Sequence, residues 1–202
     1  SEAEKSGNGL RIFGRFLFAT RRTRRRQFTV ETKGGLVAVD LQLDADDEPS
    51  SATVEMGSAS FAPADLPCVL KVPELIDQAI VAGGEKLRFT GVSVGNPHCV
   101  IFRQLGSQWG RDELLRLGPE LEHHPYFPRR INVQLAVPVG PKSIFIQIWE
   151  RGAGETQASG SSSCAAASAD WDLKMSGRLK KALKKVPPTK PICTDFLSYL
   201  MF

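Results

Sequence analysis

No apolar run in this 202-residue chain approaches the ~20 residues needed to span a bilayer. The N-terminus reads Ser1-Glu2-Ala3-Glu4-Lys5, with no basic patch leading into an apolar segment, so no signal peptide is read there. An initiator Met is also missing, and the expectation is a chain that starts part-way through a longer protein. Cysteine is sparse. Cys68, Cys99, Cys164 and Cys193 lie far apart and form neither a Cys-x-x-Cys pair nor a zinc spacing. No metal site is therefore expected, and a reducing cytoplasm is the simplest setting. What remains is an ordinary globular composition, 42% hydrophobic, 24% charged and 8% aromatic, long enough for one large domain or two small ones.

The net charge of +4 is unevenly spread. Arg21, Arg22, Arg24, Arg25 and Arg26 form one cluster, and a second runs through Lys174, Arg178, Lys180, Lys181, Lys184 and Lys185. Such clusters can neutralise phosphates, but they equally suit the solvated C-terminal ends of helices. Neither is accompanied by interleaved aromatics or a nucleic-acid-binding motif, so nucleic acid is not the expected partner, and no membrane is either.

Apolar residues at 10, 13, 16 and 17 suit one helical face, which predicts a helix over 10–20. Strands are expected at 27–32, 36–43, 52–56, 66–72, 86–94, 99–102, 132–139 and 143–150. A helix is expected over 108–117 and another from Cys164 to Ala169, while 73–84 reads as either helix or loop. Two turns look alike: Ser6-Gly7-Asn8-Gly9 and Ser159-Gly160-Ser161-Ser162 each set a Ser-Gly pair at the start of a helix. From Asp170 onward the chain becomes Lys-rich and Pro-rich with an apolar end, 196–202.

Four blocks occur in order: Ser1 to Gly9, Val94-Gly95-Asn96-Pro97-His98-Cys99-Val100, Arg130-Ile131-Asn132-Val133-Gln134, and Trp149-Glu150-Arg151-Gly152-Ala153-Gly154-Glu155-Thr156 running on to Gly160. Over about residues 1–169 these resemble the signature blocks of the diaminopimelate epimerases, cofactor-independent amino-acid epimerases. The resemblance implies an α/β (α+β) fold of two pseudo-symmetric domains, each a curved sheet around a central helix, with the active site in the cleft between them. Set against that pattern, residues 1–90 are expected to be the remainder of an N-terminal domain and 91–169 part of a C-terminal one. Residues 170–202 are then a basic tail that does not match the family. Both domains are expected to be incomplete, with unpaired sheet edges.

Inverting an amino acid at Cα needs one group to take a proton from one face and another to deliver one to the opposite face, with no cofactor required. In the family both groups are cysteines, and they align here with Ser6 and Ser159. Helix N-termini suit the negative charge that spreads into the substrate carboxylate, and Gly7, Asn8, Gly160 and Ser161 would supply the close backbone approach. By resemblance, Asn96, Asn132, Glu150 and Arg151 bind the distal amino-acid head of the substrate. Arg151 suits its carboxylate through a bidentate guanidinium and Glu150 its ammonium. His98 is expected to tune the first acid/base position, with Glu150 assisting. A helix cap is the other reading of Ser159–Ser163, a turn that of Asn96-Pro97, and a surface pair that of Glu150-Arg151.

The serines weaken the chemical reading. A thiol titrates near ~8.5 and lower at a helix N-terminus, whereas a serine hydroxyl lies far higher and needs an adjacent base. Cys164, five residues past Ser159, points elsewhere and suits the core. Three functions stay open: an isomerase interconverting LL- and meso-diaminopimelate in lysine and peptidoglycan precursor biosynthesis; a one-base isomerase or dehydratase; and a non-catalytic or truncated relative that binds an amino acid. The partner is a small-molecule amino acid, with a homodimer as the assembly left open.

Overall fold

A computed structural model describes residues 6–175. The motif residues 1–5, most of the second basic cluster, Cys193 and the apolar end lie outside the described residues. Two compact units divide between Ser58 and Ala59.

In the first unit, helix α1 (Gly7–Ala19) precedes an antiparallel sheet of β1 (Gln27–Thr32), β2 (Gly35–Leu43) and β3 (Pro49–Val54) in that order. Helix α1 begins three residues before the apolar periodicity because Ser6 caps it: its Oγ accepts from the Gly9 N–H at 3.1 Å. Alternate residues Val37, Val39 and Leu41 of β2 are buried, and Gly7, Leu10 and Gly14 are the buried positions along the helix. A Cβ at Gly14 would stand 3.1 Å from a Val39 methyl, so the helix lies on the sheet as closely as a glycine permits.

The second unit holds a six-stranded sheet, β4 (Gln78–Ala82), β5 (Glu85–Ser93), β6 (Pro97–Phe102), β7 (Asn132–Gly140), β8 (Ser143–Glu150) and β9 (Gly154–Thr156), in sequence order. All its neighbours run antiparallel except β6 and β7. That parallel pair needs a crossover, supplied by helix α2 (Arg111–Glu122); helix α3 (Gly160–Met175) closes the described chain.

Period-2 alternation assigns the two faces. Cys99, Ile101, Val133, Leu135 and Val137 pack with Leu114, Leu117 and Leu121 of α2. Val92, Val100 and Ala136 pack with Ala165, Ala166 and Ala169 of α3. A sheet covered on both sides reads as continuous apolar runs, which is why β6 and β7 are buried along most of their length.

Several expectations are corrected. Residues 66–72 form no strand: a 3-10 turn at Pro63–Asp65 leads in, the Cys68 and Val69 N–H groups bond to Pro63 and Tyr126, and Pro67 and Pro73 have no N–H to give a ladder. The ambiguous stretch 73–84 contains β4. Helix α2 starts at Arg111, where Glu113 reaches back to the Gly110 N–H at 2.8 Å, and α3 extends well beyond the alanine run. The domain boundary expected after residue 90 falls inside β5, whose register with β6, Phe89 opposite Ile101, makes it inseparable from the second unit. The boundary expected before 170 likewise falls inside α3.

Candidate functional site

The second unit gathers a group of polar side chains on the α3 face of the sheet. His98 is the second residue of β6, and the parallel register sets it beside Asn132, with Val100 beside Gln134. Even-numbered positions of both strands therefore look toward the start of α3, where Ser159, Ser161 and Ser162 stand. Asn96 arrives from the β5–β6 turn, which Gly95 opens at φ 95°.

Hydrogen bonds link this group. The Asn96 Nδ2 donates to Ser161 Oγ at 3.3 Å, and its Oδ1 lies 2.9 Å from His98 Nε2. Since a carbonyl oxygen only accepts, Nε2 carries the histidine proton and Nδ1 the lone pair. Ser159 Oγ lies 3.3 Å from Ser161 Oγ and accepts from the Ser162 N–H at 3.4 Å, while Ser159 O receives both Ser163 N and Ser163 Oγ at 3.0 Å. On the other side, Gln134 Nε2 donates to Ser162 Oγ at 3.0 Å. Ser162, His98 and Gln134 are fully buried, and Ser159 and Ser161 nearly so.

Burial without charge compensation keeps His98 neutral. Its pKa falls to about 3, chiefly by loss of solvent, with Arg151's charge adding to the fall and Gln134 offsetting part of it. Nδ1 has no partner at hydrogen-bonding geometry among the described residues, and neither has the neighbouring Gln134 Oε1. Between pH 6.5, where the unfolded histidine titrates, and about 3, the unfolded chain binds the extra proton. Stability therefore falls as pH is lowered through that window, by about 1.4 kcal/mol per pH unit at most for one proton. Thermal unfolding of wild type and His98→Gln between pH 7 and 4 checks this. The variant is expected to lose less stability on acidification, and equal losses would rule His98 out as a source.

The other expected residues sit differently. Asn132 is occupied by backbone on both sides: Nδ2 donates to Pro97 O at 2.8 Å and Oδ1 accepts from Arg151 N at 2.9 Å. It thereby ties the end of β8 to the start of β6. Glu150 ends β8 and Arg151 opens the turn after it, both half-buried. Ser6, Gly7 and Asn8 belong to the first unit, where Asn8 Oδ1 accepts from Arg11 on the exposed side of α1. Cys99 adjoins His98 in sequence but points to the α2 face, where burial pushes its thiol pKa well up. Cys164 packs with the α3-side core, as its offset from Ser159 implied.

Three participants were not singled out from sequence. Gln134 and Ser162 are an ordinary strand residue and one serine of a run; only the register shows that they meet. Glu122 is the third, buried at the end of α2 and joined to both sides of the Glu150-Arg151 turn. Among the described residues no cluster of His, Cys, Asp and Glu is arranged to hold a metal ion, and no helix is long and apolar enough to cross a membrane.

The chain is similar in sequence and fold to known proteins. A family model described as diaminopimelate epimerase matches residues 90–183, which includes Asn96, His98, Asn132, Glu150, Arg151 and Ser159. The diaminopimelate epimerase of Methanothermobacter thermautotrophicus is 42% identical over 165 residues, 82% of this chain and 56% of that protein. Diaminopimelate epimerase 2 of a Nostoc species is 43% identical over 168 residues, 83% of this chain and 56% of its own length. The chain thus spans little more than half the length of these curated relatives. A crystal structure of a hydroxyproline epimerase from Agrobacterium vitis, with bound trans-4-hydroxy-L-proline, matches with a TM-score of 0.61 at 18% identity. It covers 93% of this chain and 54% of that one, a likeness of fold alone. Family model, sequence identity and mixed α/β architecture agree: over 82% of its length the chain is similar to a diaminopimelate epimerase, of which it spans 56%.

Proposed function

We propose that this protein is a diaminopimelate epimerase-like isomerase, with Ser6 and Ser159 at the two positions where protons leave and return at the substrate Cα. One observation carries the reading. In each unit a serine precedes a helix and its Oγ accepts from the N–H three residues on, Gly9 for Ser6 and Ser162 for Ser159. The same local structure recurs at both positions that align with the family's cysteines. Each helix start also offers N–H groups and a positive dipole end to a carboxylate that gains charge when the α-proton leaves.

In this reading one group takes the α-proton as base, the carbanion is held by the helix termini, and the opposite group delivers a proton from the other face. Arg151 grips the carboxylate and Glu150 the ammonium of the distal head. Asn132 fixes the backbone that carries them, and neutral His98 orients Asn96. A small amino acid is the ligand, a reducing cytoplasm the setting and a homodimer the assembly, the last checked by light scattering.

A second reading is favoured by the serine contacts. Both hydroxyls are engaged as helix caps, and the histidine proton faces Asn96, so no base stands ready to ionise Ser159 among the described residues. The chain then binds the amino acid without inverting it. Incubation with LL-diaminopimelate in deuterium oxide separates the two. α-Deuterium uptake with inversion is expected for the isomerase; binding without uptake selects the second reading, and neither binding nor uptake ends both.

A further inference from the structure

We infer that Glu122 is a positioning residue that holds the Glu150-Arg151 turn in place, through a buried carboxylate that an amide cannot replace. The inference rests on the reading of Glu150 and Arg151 as the residues that grip the distal head of the ligand.

Glu122 is 3% exposed. A carboxylate so far from water requires partners, and it has three. Oε2 accepts from the Trp149 Nε1–H at 2.7 Å, Oε1 accepts from the Gly152 N–H at 2.8 Å, and Arg130 Nη1 lies 3.6 Å away at the protein surface. The two close donors bracket the functional pair: Trp149 comes just before Glu150, and Gly152 just after Arg151. Between them the Arg151 N–H is held by Asn132 Oδ1 at 2.9 Å. The Ala153 N–H then closes the turn onto Glu150 O at 3.0 Å. The turn that carries both charged groups is therefore fixed from α2 on one side and from β7 on the other.

The helix is shaped to receive this strand end. Gly118 and Glu122 are one turn apart on the same face of α2. A Cβ at Gly118 would stand 2.6 Å from the Trp149 ring, so the indole lies directly across the glycine with its N–H delivered to Glu122. Gly152, at φ 77°, turns its N–H back toward the same carboxylate.

Two donors converging on one side chain explain the choice of Glu. A carboxylate accepts at both oxygens, whereas glutamine has one accepting oxygen and would point its NH2 at the other donor. One of the two anchors would then be lost and a donor–donor contact created.

The test uses the 202-residue chain labelled with 15N, with meso-diaminopimelate as ligand. In Glu122→Gln, the Gly152 and Arg151 amide resonances and the Trp149 indole resonance are expected to move. The dissociation constant is expected to rise about tenfold or more, with KM rising and kcat within about threefold wherever turnover is measurable. The double variant Glu122→Gln/Trp149→Phe removes the opposed indole donor, leaving the glutamine oxygen free for Gly152. It is expected to bind more tightly than Glu122→Gln alone, a rescue that simple loss of packing would not produce. Unchanged amide resonances at 151 and 152, unchanged affinity, or no rescue overturns the inference. If wild type does not bind diaminopimelate, the functional reading fails, and Glu122 is still judged on the movement of the 151 and 152 resonances.

Discussion

Replacing Ser6 and Ser159 together by cysteine is expected to raise the rate of α-proton exchange from diaminopimelate by roughly three orders of magnitude. The estimate follows from acidity. A thiol near ~8.5, lowered further at a helix N-terminus, is partly ionised at pH 8, whereas a serine hydroxyl is not, and each unit of mismatch costs about 1.36 kcal/mol, a factor of ten. Neutral His98, with its proton committed to Asn96, gives Ser159 no compensating base. Each single replacement is expected to recover much less, because inversion needs a competent group on both faces. The measurement is deuterium uptake at Cα with chiral analysis of the product. If the double variant gains exchange but not inversion, only one position acts on the substrate. If it gains neither, the serines are not weakened stand-ins for thiols and the amino-acid-binding reading prevails.

The second large effect is on the fold. Gly118→Val is expected to destabilise the second unit by about 3 kcal/mol, the upper end for overpacking a well-filled core. Even the first added carbon would stand 2.6–2.9 Å from three ring atoms of Trp149, so the indole must leave its seat across α2. That displacement also withdraws the indole N–H from Glu122, leaving a buried carboxylate with one fewer donor. Thermal unfolding is expected to shift down by roughly 10 °C. Gly140→Ala is the control: its Cβ meets only Ser143 at 3.8 Å or beyond, an ordinary contact, and little change is expected. Equal midpoints for the Gly118 variant and the control would mean that the strand end and helix separate at little cost, and the account of Glu122 would weaken with it.

Much was legible in the sequence because it is local. The turn Gly95-Asn96-Pro97-His98, the Glu150-Arg151 pair and both Ser-Gly helix starts are contiguous, and short-range chemistry shapes them: a side-chain oxygen reaching an N–H three residues on, or a glycine free to take positive φ. The apolar runs of β6 and β7 also marked them as strands, but could not say that they are parallel neighbours. That pairing brings His98 beside Asn132 and Gln134 into reach of Ser162, although 28 residues separate the last two. The same limitation explains the misplaced boundary. Motif order put the division after residue 90, whereas β5–β6 pairing and the Ser60–Ser93 bridge tie residues from Ala59 onward into the second unit.

The sequence by itself therefore determined the resemblance to the diaminopimelate epimerases, the mixed α/β class and the positions where chemistry is to be sought. Only the tertiary structure decided the environment of those positions: a neutral histidine with its proton turned to Asn96, an Asn132 used by the backbone, and a buried Glu122 behind the charged turn. The reason is physical. Identity and local capping are properties of neighbouring residues, while burial, protonation and the partner of a buried polar group depend on which distant strands and helices exclude water around it.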